Sequence, residues 1–504
     1  MLNTKNGKKI LKTISELETE ILLHERKLSA LITRTHKVHK ESVKNLIHYL
    51  TLRSKDLRKL QNDLSEISLS SLSHCESHVF ASIANLKHIL TLILNQPNHI
   101  NHKTFIGIKE SHALSKNKSE KLFGKTTFKG ETKIMVTLPT EASDDLTLIT
   151  NLCKAGMQIA RINTAHDTEE IWDKMIANLN IVSKKLNKKI KVYMDIEGPK
   201  LRVKSIGSGN SKTKKDKSNK VYIRLVKNDL VALLNRANIA NTEVKASFTI
   251  ETPEIIKDLK NGDPVWFDDG KMGGYVFNCK GEYVIIKITS APENGYKLRN
   301  EKGIMFPESE ININALTKDD IKYLPFIAKK ADMVGYSFVQ KTADIIELRE
   351  KLNKLNRKDI GIILKIETKE AFANLPSLLI EAMRSENCGV MIARGDLAVA
   401  VGYKRIAEVQ EEIMWVAEAA HLPVIWATQV LENLAKKGVA TRAEISDAVK
   451  SVRSECVMLN KGPFITDVIK TIKDIDKRMA PHEDKKRKYN RQLSIANNFI
   501  IANK

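Results

Sequence analysis

Two short runs in the chain end in a basic residue followed two positions later by a carboxylate. GIIL leads into Lys365-Ile366-Glu367, and CGVMIA leads into Arg394-Gly395-Asp396. If each run is a β-strand, the two-residue period places Lys365 and Glu367 on one face at the strand end. Glu367 and Asp396 suit a hard divalent cation, which takes one or two protein carboxylates and completes its shell with water and substrate oxygens. Lys365, together with Arg161 from QIARIN, brings positive charge to where a phosphoryl group would sit. Phosphoryl transfer needs little else from a protein than positioning and electrostatic stabilisation. Thr428, after PVIWA, offers a hydroxyl that can relay a proton, and Gly395 lets backbone approach a ligand closely. Asn163 follows Arg161 at the same two-residue spacing, and Asp195 ends the run VYM.

Each feature has a duller reading when taken alone. A K-x-E at a strand end is commonly a rim ion pair, an arginine there commonly snorkels, and DDG is commonly a turn. The conjunction is what carries weight, because complementary polar groups at five strand ends serve no purpose in packing a barrel.

Those groups meet only if the strands are parallel and close on one another. From Thr132 onward, short β-branched runs alternate with amphipathic stretches of helical length, which predicts parallel strands with crossover helices. Eight such runs can be marked: 133–137, 158–163, 191–195, 332–338, 361–366, 389–393, 423–427 and 456–459. Eight is the number that closes a (β/α)8 barrel, in which function gathers at the C-terminal strand ends. The fold class expected is therefore α/β, a TIM barrel with a small β-rich lid inserted over 203–300. Before it, apolar residues recur at spacings of three and four, as in Ile10, Ile14, Leu17 and Ile21, which predicts an N-terminal helical hairpin or bundle over 1–95. A polar linker is expected over 96–131, the barrel over 132–202 and 301–482, and a charged tail over 483–504.

Composition narrows the class without choosing the function. The 504 residues are 42% hydrophobic, enough for a large core, and 83 Lys+Arg against 60 Asp+Glu give a net charge of +23. Such a surplus fits nucleic acid, an anionic surface or phosphorylated small molecules, or simply lysine-rich solvated faces. The one dense basic run is Ser211 to Lys220, read as a mobile loop. Few aromatic residues and no stacking motif in the N-terminal segment argue against nucleic acid. Five scattered cysteines form no C-x-x-C pair, and no stretch reads as a secretory signal or a membrane span, so a cytoplasmic protein is expected.

From TKIMVT to TRAEISD the chain resembles the pyruvate kinases over about Thr132 to Met479. The resemblance lies in ordered passages that include AGMQIARINTAHD, MDIEGPKLR, WFDDGK, EKGIMFP, ALTKDD, YSFVQ, LKIE, MIARGDLAV and PVIWATQVLENL. It implies phosphoryl transfer from phosphoenolpyruvate to ADP, with Mg²⁺ or Mn²⁺ as cofactor, ADP and ATP as nucleotides, and a homo-oligomer as the expected assembly. Carried over position by position, Lys365, Arg161 and Thr428 would be catalytic, and Glu367 and Asp396 would hold the metal. Arg161, Ala393, Arg394, Gly395, Asp396 and Thr428 would bind substrate, and Asn163, His166, Arg202 and Lys302 would face nucleotide. The inserted segment would be the lid.

The departures from the family pattern carry their own expectations. Where family members bind a monovalent cation, this chain has Ala165, Asp195, Ile196 and Lys200. Lys200, beside Asp195, is expected to replace that cation and remove any need for K⁺. The rim loops Leu138 to Glu141 and Asn460 to Pro463 also differ, and the family's C-terminal regulatory domain is not expected. Two rivals stay open: another phosphoenolpyruvate- or pyruvate-handling barrel lyase, and a non-catalytic scaffold with a basic helical binding segment.

Overall fold

The computed structural model describes residues 4–96, 105–127, 131–210, 213–215, 221–236, 244–311, 313–479 and 492–503. Eight strands form its centre: β1 Lys133–Thr137, β2 Ile159–Asn163, β3 Lys191–Asp195, β4 Met333–Tyr336, β5 Gly361–Ile366, β6 Cys388–Ala393, β7 Val424–Ala427 and β8 Cys456–Leu459. All are paired in parallel, and β1 closes on β8, so the expected barrel is the observed one. Met135, Ile159, Tyr193, Met333, Ile363, Met391, Ile425 and Met458 pack together in the interior, one from each strand. Their neighbours point outward and bury against the surrounding helices, as the strand period requires.

Between β3 and β4 the chain leaves the barrel and, among the described residues, builds two sheets, one of seven strands and one of three. Their shared core includes Val231, Phe248, Val265, Phe267 and Ile286, with the rings of Phe248 and Phe267 edge-on at 5.8 Å. Most of the basic run 211–220 lies outside the described residues; Lys214–Lys215 forms a short strand of the smaller sheet.

Two expected boundaries are corrected. The stretch read as a linker contains the helix Ile108–Phe123, whose last turn drives Leu122 and Phe123 into the barrel interior from the bottom. Only that turn is deeply committed to the interior, so the helix is polar over most of its length and lacks an apolar stripe. Gly361 accommodates it, because a Cβ there would lie 2.4 Å from Leu122 Cδ1. The stretch read as a charged tail contains the helix Ser494–Ala502, with Leu493, Ile495, Phe499 and Ile500 buried. The charged residues that prompted that reading, 480–491, lie outside the described residues.

The N-terminal helices Thr4–Lys27, Lys40–Arg53 and Val79–Ile93 pack together and against the barrel helix Ile406–Ala419. Asn45 fixes this joint: its amide donates to the Glu76 and Ala419 carbonyls, both at 2.8 Å, and its oxygen accepts from the Val79 N–H. No helix among the described residues is long and apolar enough to cross a membrane.

If Leu122 is part of the barrel core, Leu122→Ala should lower stability by about 2–4 kcal/mol through the cavity it leaves. Urea unfolding measures this, and a loss below about 0.5 kcal/mol, the level of an ordinary surface change, would show that the plug contributes nothing.

Candidate active site

The barrel's C-terminal rim is organised around Asp195, the last residue of β3 and only 1% exposed. Register puts Asn163 of β2 on one side of it and Gly335 of β4 on the other. Arg161 reaches across from β2 and donates from Nε to Asp195 Oδ2 at 2.6 Å, while its Nη1 donates to Thr137 Oγ1 at 2.9 Å. The Tyr193 hydroxyl donates to Oδ1, and Lys365 Nζ stands 3.7 Å from the same oxygen. Burial alone would raise the Asp195 pKa, but the Arg161 and Lys365 charges outweigh it and hold the carboxyl below its usual value. Burial and the adjacent Asp195 push the Tyr193 phenol well up, so it remains a donor. Glycine is required at 335, since a Cβ would lie 1.9 Å from Tyr193 Oη and 2.1 Å from Asp195 Oδ1.

Lys365 is fixed by three neighbours: it donates to Ser337 Oγ at 2.5 Å, lies 3.1 Å from Glu367 Oε1, and faces Asp195. Ser337 in turn donates to the Ile196 carbonyl. Glu367 Oε2 accepts from the Phe338 N–H at 2.7 Å, where Phe338 adopts φ +54°. Burial, and then the facing Asp396 carboxylate, raise the Glu367 pKa against the pull of Lys365. That repulsion is what a divalent cation would relieve. Among the described residues no cage of three or more metal-ligating side chains converges. Mg²⁺ needs no such cage when waters and substrate oxygens complete its shell, so the Glu367 and Asp396 pair fits it.

Two N-terminal caps hold the surrounding loops. Thr317 and Asp320 form a capping box on the helix Lys318–Lys330, and Asp320 also accepts from the Glu197 and Gly198 N–H groups. It thereby fixes the turn that delivers Lys200. Thr441 and Glu444 cap Arg442–Ser451, whose Asp447 pairs with Arg394 at 2.6 Å. Arg394 also donates to the Ala427 and Thr428 carbonyls, so its side chain braces the β7 loop and is turned away from the rim. Its backbone begins the helix Arg394–Val401 after Ala393, and the Gly395 N–H donates to Thr428 Oγ1 at 2.8 Å.

The structure thus brings Arg161, Asp195, Lys365 and Glu367 into one network, and Lys200, Asp396, Gly395 and Thr428 beside it. It separates the pair Lys200 and Asp195. Asp195 is enclosed by Arg161, Tyr193 and Lys365, whereas Lys200 Nζ lies 2.8 Å from Asp396 Oδ1 and 3.9 Å from Asp269 Oδ1. Burial works against the Lys200 charge, but Asp396 and Asp269 prevail and raise its pKa. The four residues expected to face nucleotide lie in two places. Asn163 and His166 shape the β2 loop, the Asn163 side chain accepting from the Ala165 N–H and the His166 carbonyl from Trp172 Nε1. Arg202 and Lys302 lie at the lid hinge, paired with Glu197 and Asp268. A cleft lined by Lys200, Phe338, Gln340, Thr368 and Asp396 opens between hinge and rim. Sequence reasoning missed Tyr193, Ser337 and Gly335. Tyr193 could have been found from the spacing that links it to Asp195, whereas nothing in the sequence signals the close approach at Gly335.

Asp195→Asn should cost about 3–5 kcal/mol near neutral pH, because Arg161 and Lys365 lose their buried partner. A carboxyl with a lowered folded-state pKa stabilises above its unfolded value of 3.8 and loses that contribution as pH falls below it. The gap between the parent and Asp195→Asn should therefore narrow on acidification from pH ~6 to pH ~3, as read by chemical denaturation. A constant gap would show that the Asp195 charge is not what holds the site.

Comparison with known proteins meets the same region. A family model described as "Pyruvate kinase, barrel domain" matches residues 129–463. A pyruvate kinase of Bacillus licheniformis is 30% identical over 357 residues, covering 69% of this chain and 57% of that protein. A pyruvate kinase of Staphylococcus saprophyticus is 27% identical over 381 residues, covering 74% and 61%. Pyruvate kinase 2 of Trypanosoma brucei brucei is 29% identical over 326 residues, covering 63% and 61%. The chain spans about three fifths of the length of these curated relatives.

Proposed function

The chain belongs to the pyruvate kinase family, and we propose that its barrel transfers a phosphoryl group from phosphoenolpyruvate to ADP, giving pyruvate and ATP. The observation that carries this reading is the charge balance of the rim. Arg161, Lys365 and Lys200 are matched one for one by Asp195, Glu367 and Asp396, and Asp269 of the lid adds one negative charge beside Lys200. A divalent cation and a phosphoryl dianion can enter together without leaving an uncompensated charge.

Glu367 and Asp396 would hold Mg²⁺, which would neutralise phosphate oxygens when bound. Arg161 and Lys365 are placed to take the phosphoryl oxygens, and the Ser337 hydroxyl keeps the Lys365 ammonium from swinging away. In the reaction, the bond between phosphorus and the enol oxygen breaks, an ADP phosphate oxygen bonds to phosphorus, and the electron pair stays on the enolate. A proton then adds to the methylene carbon. Thr428 supplies or relays it, and the Gly395 N–H fixes the orientation of its oxygen. Asn163, His166, Arg202 and Lys302 flank the nucleotide between the β2 loop and the hinge, and the lid excludes water when it closes.

K⁺ is not required in this reading, because Lys200 already places a permanent positive charge beside Asp396. Its place on Asp396 is the altered form of the earlier expectation, since the ammonium compensates the rim as a whole and makes no pair with Asp195. Self-association and a cytoplasmic setting follow the family and are proposals on the same footing.

A coupled assay with phosphoenolpyruvate, ADP and Mg²⁺ should show pyruvate formation, and Lys365→Met should reduce it at least about a hundredfold, as removal of one preorganised electrostatic group does. No turnover with any nucleoside diphosphate or divalent metal would overturn the reading in favour of a scaffold. Rates in K⁺ and in tetramethylammonium at equal ionic strength should agree within about twofold. A tenfold advantage in K⁺, about 1.4 kcal/mol of transition-state stabilisation, would show that Lys200 does not replace the cation.

A further inference from the structure

The lid touches the barrel rim at a turn whose shape is costly. Asp268, Asp269 and Gly270 all have positive φ, at +49°, +54° and +84°. Consecutive left-handed residues persist only where their surroundings hold them. Besides the hinge, where Lys302 pairs with Asp268 at 3.0 Å, two contacts meet this turn from the barrel rim. One is the 3.9 Å approach of Lys200 to the Asp269 carboxylate. The other is Tyr403, whose hydroxyl donates to the Asp269 carbonyl at 2.8 Å. Its ring closes over Gly270, where a Cβ would lie 2.2 Å from Tyr403 Oη and 3.1 Å from Cζ.

Tyr403 is 59% exposed and contributes little to the barrel core. Its position is set by the helix Arg394–Val401, which Gly402 ends at φ +88°. The first turn of that helix carries Arg394, Gly395 and Asp396, and the residue just past its end reaches the lid. One short rigid element therefore joins the proposed substrate cradle to the lid turn. Burial, and then Asp269, raise the Tyr403 pKa, so the hydroxyl stays protonated as a donor.

The geometry points to Tyr403 as a positioning residue, a latch that holds the lid over the rim by gripping the Asp269-Gly270 turn. This rests on the reading of the barrel as a phosphoryl-transfer site, whose chemistry needs water kept out.

The test measures lid position without turnover. Spin labels go on Phe277→Cys in the lid and Ile181→Cys on a barrel helix, both exposed sites, in a Cys279→Ser background; the other four cysteines are buried. In the ligand-free parent the distance distribution should be dominated by one closed population. Tyr403→Ala should raise the open population about three- to tenfold, the worth of one exposed hydrogen bond with its packing. Tyr403→Phe, which keeps the ring, should fall between the two. With phosphoenolpyruvate and ADP, Tyr403→Ala should raise the KM for ADP more than it lowers kcat. A distance distribution in Tyr403→Ala that superimposes on the parent's overturns the latch, whatever the turnover. An opened lid in a protein that turns over nothing leaves the latch standing and removes the proposed reaction.

Discussion

A single buried carboxylate sets the geometry of the rim. Asp195 sits where three strands meet, and a charge in that position is tolerable only because Arg161, Tyr193 and Lys365 surround it. The compensation works in both directions. Without Asp195 the guanidinium and the ammonium would repel each other across the barrel mouth, and without them the carboxylate would neutralise. Gly335 is the steric condition for the arrangement, since any side chain on β4 at that level would occupy the space of the Tyr193 hydroxyl. The cations that would meet a phosphoryl group are thus preorganised by the fold before any ligand arrives.

The second layer of order comes from helix caps. Asp320 closes the N-terminus of its own helix and also accepts from two backbone amides of the turn after β3, so one side chain ties a barrel helix to the base of the lid. Asp447, held on a helix with its own capping box, performs the equivalent service for Arg394 and the β7 loop. These residues touch no reacting atom. They explain what ALTKDD and TRAEISD do beside the strand-end motifs, because local backbone groups near a site must be satisfied by something that does not move.

The barrel was largely legible in the sequence because hydrophobic period and strand length suffice to define it. The runs for β1, β3, β5 and β8 coincide with the strands, whereas the run 332–338 ends early in the structure, at Tyr336. The two residues that leave the ladder are informative. Ser337 turns to Lys365, and Phe338 takes positive φ to present its N–H to Glu367. A rule based on strand continuity assigns them to the sheet, and only the carboxylate and ammonium they serve show otherwise. The partner of Lys200 was hidden for a related reason: proximity to Asp195 in sequence says nothing about a lysine that rises over the rim toward β6. The helix at 108–123 was missed because it buries only a few residues against a polar background, whereas that at 494–502 carries an apolar stripe, Ile495, Ala496, Phe499 and Ile500, over only nine residues and follows a dense charged run.

The joint between the N-terminal helices and the barrel adds a set of buried polar groups to its apolar packing, and that choice has consequences. Asn45 bridges two carbonyls, His39 bonds the Glu386 carbonyl, and His421 bonds the Ser77 carbonyl and the Ser42 hydroxyl. An apolar joint would tolerate sliding, whereas these bonds are satisfied in one register only. Burial, and then the Lys118 charge, press the His39 and His421 pKa values down to about 3, so both rings are neutral in the docked form. A lowered histidine pKa stabilises above the unfolded value of 6.5 and loses that contribution as pH falls through it. Docking of the N-terminal helices is therefore strongest above that value and weakens with acid. The segment forms a wall of the barrel, and the neutral state of two imidazoles is one of the conditions that keep it there.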